Sequence, residues 1–295
     1  MNLIYENGLE FRVINNRLNN VINRMKLNNE KCFMPFYVIG DPTPEIFISI
    51  IKRIEPIVDI IELGLPFSDP IADGPIIQEA NKRSFQSGMN PSKGLELIKN
   101  IRKFTDKPIV LLTYANIVGV NEKLEQNIKK FSEVGIDGLI VADVPIEESR
   151  KIILLCHEHN IHFILLVTPS TTMERLKKIV QLSTSFIYLV SIKGITGVRE
   201  YVLEETKHTI KRIRSQLIDL KLQDIPVYVG FGISKSEHVK EIINLGADGV
   251  IVGSAIIKII QDFTQDPKFK LDKDYNILIN LMEEFVIKMK NATRY

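Results

Sequence analysis

Two carboxylate side chains lie close together in the sequence, one in an apolar run and one in a constrained loop. Glu62 lies near the end of residues 58–64, a short β-branched run typical of a strand buried on both faces. Asp73 follows in a segment, 62–75, that contains three prolines and two glycines and so has little backbone freedom. A carboxylate on a buried face is costly unless it is paired or functional. Two positioned acids can divide general-acid and general-base roles, so the pair indicates acid–base chemistry. Position alone leaves a second interpretation open, in which Glu62 caps a helix or pairs with an arginine and Asp73 opens a turn.

The elements that must position these acids are eight short apolar runs that alternate with helical patterns. Strands are predicted near Phe33–Ile39, Val58–Gly64, Ile109–Thr113, Gly138–Val141, His162–Val167, Phe186–Val190, Val227–Val229 and Gly249–Val252. Helices are predicted at Pro44–Ile54, Pro91–Phe104, Glu122–Val134, Glu147–His157, Met173–Leu182, Val202–Leu220 and Ser236–Leu245, followed by a short turn at Ser254–Ile260 and a terminal helix at about 274–289.

Repeated strand–helix units predict parallel strands joined by right-handed crossovers. Eight such units, at about 33–260, predict an α/β fold, a (β/α)8 barrel of the TIM type. We expect residues 1–295 to form a single domain. An extra N-terminal helix, at about 12–28, is expected to plug the floor of the barrel, and the polar stretch 261–273 is predicted to be a surface loop.

Glycines follow the seventh and eighth predicted strands. In a barrel of this type the active site lies at the carboxyl ends of the strands, where Glu62 and Asp73 also fall. Glycine lets backbone N–H groups approach a phosphate closely, and a helix that starts there offers its positive end. We therefore predict a phosphate site at Gly232, Gly253 and Ser254. Taken alone, a Gly-Phe-Gly sequence is usually only a turn, and the dinucleotide-binding pattern is incomplete.

Composition excludes several classes of protein. A net charge of +2 gives no reason to expect a nucleic-acid partner, and no apolar run is long enough to cross a membrane. Two cysteines are too few for a disulfide framework, so a reducing compartment is expected. His157 and His159 do not share one face of a helix and His162 begins a predicted strand, so no metal site is predicted.

Residues 62–75, ELGLPFSDPIADGP, resemble the signature of the tryptophan synthase alpha chain family. Further matching stretches are Thr113–Asn116, Val141–Pro145, Tyr188–Ser191, Gly194–Gly197, Val229–Ser234 and Val252–Ser254. They occur in the family's order and at nearly its spacing. The resemblance therefore extends from about Pro35 to the last helix.

The resemblance implies a lyase of tryptophan biosynthesis that cleaves indole-3-glycerol phosphate to indole and glyceraldehyde 3-phosphate. It implies that Glu62 protonates C3 of the indole and then takes the glycerol hydroxyl proton, while Asp73 accepts a hydrogen bond from the ring N–H. Tyr188 would lie in the same pocket, although its position is equally compatible with core packing. Residues 194–199 would form a mobile lid whose Thr196 closes near Asp73, and Gly197 would contact the phosphate.

The resemblance also implies that this chain is an alpha subunit that assembles with a beta subunit in an α2β2 heterotetramer. Pyridoxal phosphate is expected in that partner, and no cofactor is expected in this chain. Pro66, Asp69 and Asn116 match the face on which the family docks its partner. The implied location is the cytoplasm, or the plastid stroma if the gene is organellar.

This sequence departs from the family's usual pattern at Lys193, after Arg199, and at Ile76, where threonine is common. The first two departures leave the details of lid closure open. Two other functions also stay open, namely a stand-alone lyase that releases free indole and a non-catalytic subunit that binds a phosphorylated ligand. The presence of both Glu62 and Asp73 argues against the second, since a binder has no need for both acids.

Overall fold

The structure is a computed structural model that describes residues 3–5, 9–11, 14–190, 199–230 and 232–294. For residues 3–5, 9–11 and 199–202 it describes the backbone alone. The strands are β1 (Leu3–Tyr5), β2 (Leu9–Phe11), β3 (Cys32–Val38), β4 (Ile61–Gly64), β5 (Ile109–Thr113), β6 (Gly138–Val141), β7 (His162–Phe163), β8 (Leu166–Val167), β9 (Ile187–Val190), β10 (Val227–Gly230) and β11 (Gly249–Val252). The helices are α1 (Arg17–Leu27), α2 (Pro44–Ile54), α3 (Pro75–Gln86), α4 (Pro91–Ile101), α5 (Ala115–Val118), α6 (Asn121–Glu133), α7 (Arg150–Glu158), α8 (Met173–Leu182), α9 (Arg199–Asp219), α10 (Ser236–Asn244), α11 (Ser254–Gln265) and α12 (Leu271–Asn291).

The parallel strands close into a barrel. Their order is β7-β6-β5-β4-β3-β11-β10-β9-β8, and each neighbouring pair is parallel. The two ends of this order, β7 and β8, belong to one chain segment, 162–167, which pairs with β6 on one side and β9 on the other. The order therefore returns to its start, and the (β/α)8 barrel predicted from the sequence is confirmed. The remaining strands, β1 and β2, form a separate antiparallel hairpin.

Alternation along β4 determines which side chains face the inside of the barrel. Ile61 and Leu63 belong to the core between the strands and the surrounding helices. Because successive side chains point to opposite faces of a strand, Glu62 points into the barrel.

Helix α1 covers the floor of the barrel, as predicted. Leu18, Ile22 and Met25 pack in one buried cluster with interior residues such as Met34 and Ile140. The Asn16 side chain caps the helix by accepting hydrogen bonds from two backbone N–H groups of its first turn.

Helices α3 and α11 differ from the sequence prediction. Helix α3 begins at Pro75, which the prediction treated as the end of the acidic loop; proline is well suited to the first helical position. The stretch after Ser254 was predicted to be a short turn, but α11 continues to Gln265 because Ile256, Ile260 and Phe263 bury one helical face. The predicted loop 261–273 is correspondingly shorter, since α12 already begins at Leu271.

Candidate active site

A cavity of about 420 Å³ opens at the carboxyl ends of the barrel strands. Its walls include six residues that the sequence singled out, namely Glu62, Asp73, Tyr188, Gly232, Gly253 and Ser254. The rest of the lining is largely apolar, with Phe36, Ile76, Ile77, Leu112, Leu166 and Ile251 among its members. Residues separated by up to two hundred positions in the chain therefore meet in one cavity, because parallel strands end on the same side of a barrel.

Glu62 is a buried acid without a polar partner. The residue is 1% exposed, and neither of its carboxyl oxygens has a hydrogen-bond partner among the described residues. Burial, and secondly the negative charge of Asp73, raise the pKa of Glu62 from the ordinary value of 4.5 to about 8. Glu62 is therefore largely protonated at neutral pH and can donate a proton into the cavity.

Asp73 lies just before Gly74, the N-cap of α3. The Tyr114 hydroxyl donates a hydrogen bond to Oδ2 of Asp73 over 2.9 Å. Burial raises the pKa of Asp73 to about 6, and the hydrogen bond from Tyr114 partly offsets that rise. Asp73 is therefore mainly ionised at neutral pH, and the two acids of the cavity are in different protonation states.

Tyr114 is a site residue to which the sequence analysis assigned no role. It follows β5 directly, and its ring stacks on Phe67 with 4.7 Å between ring centroids. The position after a barrel strand was the available signal, since that is where side chains reach the active-site face. The hydroxyl's partner, Asp73, became identifiable only when the two loops were seen together.

Helix α3 holds the loop that carries Asp73 in place. Arg83 forms a bidentate ion pair with Asp41, with N–O distances of 2.7 and 2.8 Å, in the loop that follows β3. Ser84 donates a hydrogen bond to the carbonyl of Ile39 over 2.7 Å. These contacts fix the helix against the barrel, so the backbone at Asp73 is positioned by a packed element.

Tyr188 projects into the cavity from β9. A Cβ atom on Gly230 would lie 2.6 Å from the Tyr188 hydroxyl oxygen, so glycine at this position makes room for the ring. Burial, followed by the charges of Glu62 and Asp73, raises the pKa of Tyr188 well above its ordinary value. The hydroxyl therefore remains protonated and available as a donor inside the cavity.

The part of the cavity wall predicted to hold a phosphate is formed by Gly232, Gly253 and Ser254. Gly232 has φ +73°, a conformation that favours glycine, and a Cβ built on it would meet nothing within 4 Å. Gly253 is the N-cap of α11 and Ser254 is its first helical residue. Because the first N–H groups of a helix lack intrahelical acceptors, this part of the cavity wall suits an anion.

The other predicted site residues have different placements. Thr196 and Gly197 lie outside the described residues, as does most of the predicted lid. Asp69 and Asn116 are exposed, whereas Pro66 is buried and does not offer its ring to a partner in this structure. Within the described ranges, no group of three or more His, Cys, Asp or Glu side chains is arranged to hold a metal ion. No helix in those ranges has both the length and the apolar character needed to cross a membrane.

The fold and the cavity define a (β/α)8-barrel enzyme with a pair of unequal carboxyl groups at its active-site face. The chain belongs to the tryptophan synthase alpha chain family, whose model matches residues 22–290. It is 48% identical over 238 residues to the tryptophan synthase alpha chain of Methanocaldococcus jannaschii, a match that covers 80% of this chain and 82% of that one. The corresponding protein of Photobacterium profundum is 38% identical over 280 residues, which is 94% of this chain and 98% of that one.

Solved structures give the same result. Tryptophan synthase subunit alpha from Legionella pneumophila superimposes with a TM-score of 0.78 at 29% identity, covering 95% of this chain and 98% of that one. A chain of the tryptophan synthase α2β2 complex from Pyrococcus furiosus gives a TM-score of 0.76 at 31% identity, covering 89% of this chain and 99% of that one. The resemblance read from the sequence motifs is thereby confirmed.

Proposed function

We propose that this chain cleaves indole-3-glycerol phosphate to indole and glyceraldehyde 3-phosphate, as the alpha subunit of tryptophan synthase. The observation that carries this proposal is the state of the two acids. Glu62 is buried, protonated at neutral pH and unpaired among the described residues, and it shares a cavity with ionised Asp73. A structural acid would have a protein partner, whereas a general acid needs a free proton facing the substrate.

The carbon–carbon bond breaks easily only after C3 of the indole ring has been protonated. Glu62 supplies that proton, and Asp73 accepts a hydrogen bond from the ring N–H, stabilising the positive charge that develops there. The Glu62 carboxylate then takes the proton of the glycerol hydroxyl next to C3. The electrons of that O–H bond form the aldehyde carbonyl, and those of the broken C–C bond return to the ring. Glu62 is thereby restored to its protonated form.

The shape of the cavity supports this substrate. Phe36, Leu112 and Ile251 provide apolar walls that suit an indole ring, and Tyr188 adds an aromatic face with a hydroxyl donor. In the same cavity, Gly232 and the start of α11 suit the phosphate. The proposal also includes the predicted phosphate contact at Gly197 and the predicted closure of the lid by Thr196 near Asp73.

The proposed partner is a beta subunit that carries pyridoxal phosphate and joins indole to serine. Asp69 and Asn116, the predicted docking residues, are exposed. Ile71, two residues after Asp69, is 80% exposed, and Val120, which follows helix α5, is 72% exposed. Each lies within four residues of a predicted docking residue, and covering an exposed apolar side chain favours association.

The first experiment measures indole release from indole-3-glycerol phosphate by the purified chain. Glu62→Gln and Asp73→Asn should each lower turnover by at least ~100-fold, the contribution of a positioned acid or base, while glycerol phosphate still binds. Glu79→Gln is the matched control, because Glu79 is an exposed acid of α3 that pairs with Lys82. Near wild-type turnover in both cavity variants would show that the assigned mechanism is wrong.

The second experiment separates the partnered subunit from a stand-alone lyase. A tryptophan synthase beta subunit is added to the assay, and complex formation is followed by co-purification with the pyridoxal phosphate absorbance. The alpha-subunit proposal requires a stable complex and faster cleavage. A fast reaction that the beta subunit leaves unchanged would favour the stand-alone enzyme.

A further inference from the structure

Lys258 is a charged side chain in the cavity wall that the proposed reaction does not yet use. Of the cavity-lining residues that the structure describes, Glu62 and Asp73 are acids and Lys258 alone carries a positive charge. A phosphate ester brings up to two further negative charges into the same cavity. Neutral backbone N–H groups can orient such a group but do not balance its charge.

The position of Lys258 places it next to the predicted phosphate site of the cavity. It follows Ser254 by four residues on α11. Residues four apart lie on the same face of a helix, one turn from each other. The Lys258 side chain is a flexible four-carbon stem with an ammonium group, which can reach beyond its own turn.

In the structure Lys258 forms an ion pair that is exposed to solvent. Its Nζ lies 2.7 Å from Oδ1 of Asp262, and the two side chains are 57% and 60% exposed. Ion pairs with this exposure contribute little to stability. The order of the pair, with the lysine before the acid, is also the less favourable one along a helix. Lys258 can therefore leave Asp262 at small cost.

We propose that Lys258 is a second phosphate-binding group, which pairs with Asp262 in the free chain and transfers to the substrate's phosphate on binding. This inference rests on the proposed function and adds a side-chain cation to its backbone phosphate site. The phosphate is remote from the bond that breaks, so Lys258 binds the ground state and the transition state about equally. Its loss should therefore change KM and leave kcat nearly unaltered.

The test compares substitutions at Lys258 and Asp262 in the full chain. Lys258→Met should raise KM for indole-3-glycerol phosphate about two- to fivefold and change kcat less than about twofold, as expected for an exposed charge that binds uniformly. The Kd of glycerol 3-phosphate, measured by calorimetry, should rise by the same factor. Lys258→Arg should restore most of the affinity. Asp262→Asn should lower both constants, because it removes the competing partner of Lys258.

Two controls make the result specific. Lys178→Met removes a lysine from a similar pair, Lys178 with Glu174 on α8, that is not part of the cavity lining, and it should leave both constants unchanged. The difference between wild type and Lys258→Met should shrink when the salt concentration is raised from 0.05 M to 0.5 M, since salt screens exposed charges.

Unchanged KM and Kd in Lys258→Met, or a Kd for glycerol 3-phosphate that rises in Asp262→Asn, would overturn the role of Lys258 and leave the proposed function standing. A wild-type chain that fails to cleave the substrate, alone or with a beta subunit, would overturn the proposed function instead. The glycerol 3-phosphate measurements still decide the role of Lys258 in that case, because they do not depend on turnover.

Discussion

Replacing Glu62 with glutamine should stabilise the protein at alkaline pH while it removes catalysis. The folded chain holds the Glu62 carboxyl protonated up to a pKa of about 8, against 4.5 ordinarily. Above pH 4.5 the unfolded chain releases this proton and the folded chain does not, so the free energy of unfolding falls as pH rises towards 8. Between the two pKa values the free energy of unfolding falls by about 1.4 kcal/mol per pH unit. The raised pKa of Glu62 therefore lowers the free energy of unfolding by less than about 1 kcal/mol at pH 5 and by about 4 kcal/mol at pH 8. Glutamine has nearly the same shape and no proton to lose.

The assay is urea unfolding of wild type and Glu62→Gln, followed by circular dichroism at pH 5 and pH 8. Between these values the wild type should lose about 3–4 kcal/mol relative to the variant. Asp73 titrates in both proteins, so its own contribution largely cancels in the difference. Glu79→Gln, at the exposed surface of α3, should show no such dependence on pH.

Two outcomes would refute this reasoning. If Glu62→Gln were less stable than wild type at pH 8, Glu62 would have a stabilising partner in the folded chain. If the difference in stability were the same at both pH values, the carboxyl would not be held protonated by its surroundings. The expected combination of higher stability and lost turnover is specific to an acid that is kept buried for chemistry.

Three further predictions concern neighbouring parts of the molecule. Tyr114→Phe removes the hydrogen bond that lowers the pKa of Asp73, so the acidic limb of the pH profile of kcat/KM should move upward from about pH 6. An unmoved limb would contradict the assignment of that limb to Asp73. Gly232→Val places a branched residue at φ +73° in the predicted phosphate site, a conformation that favours glycine. KM and the Kd of glycerol phosphate should therefore rise more than kcat falls. Unchanged affinity would exclude a phosphate at Gly232. Lys290→Met leaves the buried carboxylate of Asp59 without its 2.6 Å partner, and urea unfolding should show a loss of about 3–5 kcal/mol; a loss below about 1 kcal/mol would mean that solvent replaces the lysine.

Much of the barrel could be predicted because its elements are locally encoded. The bounds of β5, β6 and β11 agree with the prediction to the residue, since each is a short apolar run. The buried position of Glu62 followed from a similar pattern, a β-branched run typical of a strand buried on both faces. Helix α3 was missed because its sequence begins within a proline-rich loop. The full length of α11 was missed because Phe263 is flanked by polar residues, in the stretch that was predicted to be a loop.

The sequence by itself determined the order of the barrel strands, the family and the two candidate acids, because these depend on residue type and spacing along the chain. Only the tertiary structure decided how those acids behave. The pKa of Glu62 depends on the burial of its carboxyl, and that of Asp73 on burial and a hydroxyl 41 residues away in the chain. Lys258 likewise gained a role only when α11 was seen to border the cavity. Burial and distances between remote segments arise from packing, and no local pattern in the chain records them.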